Sequence, residues 1–205
     1  VSQPTRETTA RRPAYLVIAM IALWLVGMTT AAEGFAAMEI VRNPFSSAFG
    51  TLSGDVAEDA IKKALVEGIQ SISRLALPVG LAQLLLGALL VGVASKILFA
   101  RRASATFALQ TILANIAVVA VGYALWQPVR GRIVDAVITS GIEQRPPAIA
   151  PADFDRLVRI KTWWTFRFRL GLQLAVLGLG ALAVSRRGAR EVLSRPEEPS
   201  ASEER

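Results

Sequence analysis

Four stretches of this chain carry no charged residue: 13–32, 75–95, 103–129 and 170–185, of 20, 21, 27 and 16 residues. An α-helix rises 1.5 Å per residue, so about 20 residues cross a hydrocarbon core of about 30 Å. Inside that core every backbone N–H and C=O needs a partner within the protein, and a helix supplies all of them from its own segment. Three of the stretches reach the spanning length directly. The fourth reaches it by starting at Trp163, with Trp163, Trp164, Phe166 and Phe168 suited to the headgroup level and Arg167 and Arg169 snorkelling outward. A content of 53% hydrophobic against 19% charged residues agrees with that reading and argues against a soluble globule. The expected fold is all-α: a polytopic membrane protein with four transmembrane helices in a bundle and the lipid bilayer as its solvent.

The spans are placed at 13–32, 75–95, 103–126 and 163–185. They are joined by a short connection, 96–102, and by two long segments, 33–74 and 127–162, with tails at 1–12 and 186–205. Arg6, Arg11 and Arg12 flank the first span, Lys96, Arg101 and Arg102 lie in the short connection, and Arg186, Arg187, Arg190, Arg195 and Arg205 lie in the last tail. These short segments are denser in basic residues than the long ones, which puts both termini in the cytoplasm and the long segments outside. The second long segment is itself basic, with Arg130 and Arg132 just past the third span, and Tyr123, Trp126, Trp163 and Trp164 form an expected aromatic belt on that side. The basic set is 19 Arg to 4 Lys. That bias makes a bacterial inner membrane the expected location.

Arg11-Arg12, an apolar run and then Thr30-Ala31-Ala32 also match the outline of a cleavable secretory signal. The run is longer than the usual apolar core of about 7 to 15 residues, which favours a retained anchor.

The long segments have structure of their own. Residues 55–72 read as an amphipathic helix, with Val56, Ile61, Ala64, Leu65, Ile69 and Ile72 along one side and Asp55 as its amino cap, three residues before Glu58. The face at Ile61, Leu65 and Ile69 is the candidate partner-binding surface. In the second segment a short helix is expected over 131–142 and a break at Arg145-Pro146-Pro147. A further helix then starts near Ala152 and continues into the fourth span. Residues 33–74 sum to −2 and 127–169 to +4, so the two layers can dock by charge. The tail 186–205 alternates basic and acidic residues around Pro196 and Pro199 and is expected to be disordered.

A shift of 90 residues superposes Ala10-Arg11-Arg12 on Ala100-Arg101-Arg102, Gln83 on Gln173, Leu84 on Leu174, Leu89 on Leu179 and Ser95 on Ser185. Two-span units repeated in parallel orientation would produce this pattern, and so would chance matching of Leu- and Ala-rich segments. Small residues also recur at close-approach spacing: Gly27 with Ala31, Ala88 with Gly92 and Gly171 with Ala175.

Chemistry is scarce. Zero Cys and zero His remove disulfides, thiolate nucleophiles, imidazole metal ligands and histidine bases. No metal or other cofactor is expected. There is no phosphate-cradling glycine loop, no GxSxG elbow and no HExxH. Asp153 and Asp155 lie two apart, so on a helix they point in different directions and suit helix-start stabilisation better than acid/base work. The formal charge of +7 is scattered and lacks the basic face with stacking aromatics that nucleic acid requires. What the spans do hold is a set of amides: Gln83, Gln110, Asn115 and Gln173. A neutral amide in hydrocarbon wants a hydrogen-bond partner, so these should face other helices, either as interhelical ties of about 0.6–2 kcal/mol each or as the lining of a polar path. The expected function is therefore non-catalytic, an integral membrane subunit or scaffold presenting its outer helices to a membrane protein partner or to its own copies. The alternative is a pore or transporter component lined by the four amides.

Overall fold

The structure, a computed structural model, describes residues 13–43, 56–99, 104–140 and 150–189. These form five helices: α1 (Ala14–Arg42), α2 (Val56–Phe99), α3 (Ala105–Leu125), α4 (Gln127–Ser140) and α5 (Pro151–Ser185). Four of them, α1, α2 from Lys63, α3 and α5, are long and apolar enough to cross a membrane. The protein is an integral membrane protein built as a helical bundle. Neighbours round the bundle are α1 with α2, α2 with α3, α3 with α5 and α5 with α1, while α4 lies across one end against α2 and α5.

Local chemistry sets several helix ends. Ser104 caps α3 by accepting a hydrogen bond from the Phe107 N–H (3.3 Å). α5 begins with Pro151 at its first position, where the missing N–H is no loss, and has Asp153 in the first turn beside the positive helix end. α3 stops at Trp126 and α4 starts at Gln127, because Pro128 has no N–H to give the Ala124 carbonyl and its ring crowds that carbonyl.

Two helices are longer than the sequence suggests. The first span, expected over 13–32, is the front of a helix that continues through Glu33 to Arg42. The amphipathic helix expected at 55–72 is not a separate element, because α2 runs unbroken from Val56 through Pro78 to Phe99. Pro78 deprives the Arg74 carbonyl of its helical donor, yet the helix continues, with α1 packed against it on both sides, Val41 near Ile72 and Gly34 against Gly80. That packing is close. A Cβ on Gly27 would lie 2.9 Å from the Gly87 carbonyl oxygen, and one on Gly87 would lie 2.6 Å from the Ala31 nitrogen. Two turns further on, a Cβ on Gly80 would lie 3.1 Å from the Gly34 carbonyl oxygen. Gly27 opposes Gly87 and Gly34 opposes Gly80, so two glycines on each helix, seven residues apart, set one antiparallel register. The other small-residue pairs have no such role. Gly92 and Gly171 have nothing near enough for an added Cβ to meet.

Two apolar clusters fill the bundle. The larger lies at the end holding the first and last described residues and contains Leu16, Met20, Leu23, Leu90, Ile97, Ile112 and Leu177. It also contains Ala189, which is fully buried, and Ala189 N–H donates to the Arg186 carbonyl (3.0 Å). The tail expected to be disordered from 186 is therefore ordered as far as Ala189, and its remainder lies outside the described residues. The smaller cluster lies at the α4 end: Ile72, Ala76 and Val129, with Leu65, Val41, Trp126 and Ile133 against them.

That cluster corrects the candidate partner-binding face. Ile69 is 4% exposed and Leu65, partly buried, packs against the cluster, so both residues hold α2 against its own neighbours. The side chain of Ile61 and the expected cap Asp55 lie outside the described residues. The charge complementarity between the long segments is used as anticipated: Arg132 approaches Glu67 (3.9 Å), and Arg169 pairs with Glu33. Exposed apolar side chains, among them Leu77, Leu81, Leu85 and Leu89 on α2, form the belt that faces lipid.

Candidate functional site

Between the two apolar clusters every spanning helix contributes a polar or glycine position at about one level. On α1 these are Glu33 and Gly34, on α2 Gly80 and Gln83, on α3 Gly122 and Tyr123, and on α5 Arg169 and Gln173. Arg130, in the first turn of α4, closes the layer.

Arg169 and Gln173 are four residues apart on α5 and therefore share a face. Both donate to the same Glu33 carboxylate oxygen, Gln173 from Nε2 at 3.1 Å and Arg169 through a short charged contact. Glu33 is partly buried while Arg169 is largely exposed. Arg130 occupies a different position. Its Nη1 donates to the Tyr123 carbonyl oxygen (2.8 Å), one of the last carbonyls of α3, which have no donor inside their own helix. Its guanidinium lies over the Tyr123 ring at 4.2 Å and near the Phe166 ring at 5.5 Å. Burial pushes the Arg130 pKa down, against smaller upward pulls from Tyr123 and Glu33 and a further push down from Arg169. The basic side chains just beyond are occupied: Arg167 lies back over Trp163 (5.9 Å), and Arg159 pairs with Asp135 (2.8 Å).

The four amides do not converge. Gln83 is buried beside Gly34 and Gly122, and a Cβ on Gly122 would come within 2.4 Å of its Nε2. Asn115 is fully buried, and its Nδ2 donates to the Leu86 carbonyl (3.0 Å) across α2 and α3 and to the Thr111 carbonyl (2.9 Å) in its own helix. Its Oδ1 is buried without a partner. Gln173 belongs to the Glu33 group. Gln110 is exposed on the outside of α3.

Sequence reasoning did not assemble Glu33, Arg130 and Arg169. The available signal was weak: one acid directly after a span, opposite a segment of net positive charge. Among the described residues no three carboxylates gather as a metal would require. The chain matches no family model, no curated protein and no solved structure.

Proposed function

We propose that this protein is a non-catalytic subunit or scaffold of a bacterial inner membrane, crossing it four times with both termini in the cytoplasm, and that it binds a second, different membrane protein. The supporting observation is the exposed stripe of α5. Leu157, Ile160, Trp164, Phe168, Leu172, Leu179 and Leu182 are all exposed, at helical spacings that keep them on one side. From Leu157 to Leu182 the stripe is about 38 Å long, against about 30 Å of hydrocarbon. Lipid tails cover the part next to the bundle. The surplus at Leu157 and Ile160 projects into the aqueous layer, where apolar surface is stabilised by protein cover. The orientation draws on the basic density of the end carrying Lys96, Arg186 and Arg187.

The test is the composition of the assembly extracted from its native membrane in mild detergent through a tag on the carboxyl tail. A stoichiometric foreign polypeptide, released by Leu157→Asp with Ile160→Asp while the helical content stays intact, is the expected result. A homo-oligomer with no companion, unaffected by that change, overturns it. The pore reading draws on one observation, the unpartnered Oδ1 of Asn115, and requires solute flux in vesicles that Asn115→Leu abolishes.

A further inference from the structure

Arg130 is a half-buried cation with most of its donors uncommitted. A guanidinium has five N–H donors, and here one is committed, to the Tyr123 carbonyl. Among the described residues no carboxylate pairs with Arg130, and the nearby Glu33 is already engaged by Arg169 and Gln173. Two guanidiniums therefore lie near a single carboxylate that pairs with one of them, which leaves the group at +1. Burial is the dominant influence on Arg130 and disfavours its charge, so an anion arriving at the open side of the fork relieves a cost already present in the fold.

The depth of the site identifies the anion. Arg130 lies one turn beyond the end of α3, stacked between Tyr123 and Phe166, and Trp163 packs edge-on against Phe166 (6.3 Å). Aromatic residues gather at the headgroup level of a bilayer, where the abundant anionic group is phosphate. A planar guanidinium matches two phosphate oxygens at once.

We propose that Arg130, held over the rings of Tyr123 and Phe166 and with Arg169 beside it, binds a phosphate group at the headgroup level of the α4 side through the N–H edge of its guanidinium. Glu33 moderates the site: it holds Arg169 in place and weakens the attraction for a second anion.

The experiment uses the full chain in a neutral detergent at constant ionic strength, titrated with short-chain phosphatidylglycerol and, separately, with inorganic phosphate, and read by tryptophan fluorescence. The expected result is a saturable response to the lipid that is about tenfold weaker in Arg130→Gln and severalfold tighter in Glu33→Gln. Arg130→Lys, which keeps the charge and loses the fork, falls between wild type and Arg130→Gln and guards against a folding artefact. Arg167→Gln shifts the baseline fluorescence by uncovering Trp163 and leaves the affinity unchanged. If inorganic phosphate gives the same saturable response and displaces the lipid, the phosphate is free in solution, and if it does neither, the phosphate is a lipid headgroup. Equal binding by wild type, Arg130→Gln and Glu33→Gln overturns the proposal, and so does no saturable response to either probe. Release of an acidic polypeptide by Arg130→Gln with lipid binding unchanged also overturns it, since the fork then reads a protein carboxylate.

Discussion

Replacing Gly34 by alanine isolates the contact that sets the bundle. The new methyl group would lie 2.4 Å from the Gly80 carbonyl oxygen, 2.5 Å from the Leu84 nitrogen and 2.9 Å from the Gln83 Cβ. Two of these are backbone atoms that no rotamer change can move, so α1 and α2 must separate by about 1 Å to restore ordinary contact. A gap of 0.5–1 Å forfeits about a quarter to a half of the dispersion attraction of the atoms that line it. Between helices in lipid, that packing is the main attraction, because tails are as apolar as the side chains. The expected loss is about 1–3 kcal/mol, the usual range for overpacking. Gly87→Ala, whose methyl group would meet the Ala31 nitrogen at 2.6 Å and the Gly27 carbonyl oxygen at 2.7 Å, should behave alike. The double variant should lose less than the sum, because helices already parted by one methyl group accommodate the second at lower cost. Gly92→Ala and Gly171→Ala are the controls, since their added methyl groups meet nothing and alanine is the better helix former. The assay is reversible unfolding of the purified chain in mixed micelles against increasing dodecyl sulfate, read by helical circular dichroism. Gly34→Ala within about 0.5 kcal/mol of Gly92→Ala would mean that the Gly34–Gly80 approach does not set the bundle.

Other outcomes can be read by the same assay. Ile69→Ala should cost about 2–4 kcal/mol, as for a large aliphatic side chain removed from a packed interior, whereas an exposed partner face would register almost nothing. Asn115→Leu should change stability by no more than about 1 kcal/mol, because it removes one interhelical bond together with an oxygen that has no partner. Asp135→Asn should cost under about 0.5 kcal/mol and lose even that in high salt, since Arg159 and Asp135 are both more than half exposed. Leu85→Ala, on the lipid-facing stripe of α2, should be nearly neutral, and a large loss there would mean that this face is covered by protein.

The sequence determined the kind of molecule. Apolar runs of spanning length, the fourth reaching it by starting at Trp163, satisfy their backbone in hydrocarbon as helices, and the four runs lie in the four long helices. The start near Ala152 was also legible, because proline acts through its own ring and its immediate neighbour, without help from the tertiary fold, whereas the short helix expected over 131–142 starts earlier, at Gln127. The expected charge docking between the two long segments followed from simple sums and is realised by Glu33 with Arg169 and by Glu67 with Arg132.

Which of the repeated small-residue pairs makes a contact depends on how the helices pack. Gly27 with Ala31 meets Gly87, while Ala88 with Gly92 and Gly171 with Ala175 have the same spacing along the chain, and neither Gly92 nor Gly171 has a packed neighbour. The packing also decided that Leu65 and Ile69 turn inward, that Gln110 faces out while Asn115 faces in, and that Glu33 and Arg169, 136 residues apart, form one group. The physical reason is the same in each case. Length and hydropathy are properties of a single segment and can be read from it, whereas the face a helix buries depends on the rotation and height of its neighbours, which are fixed when close contacts such as Gly34 against Gly80 lock the register.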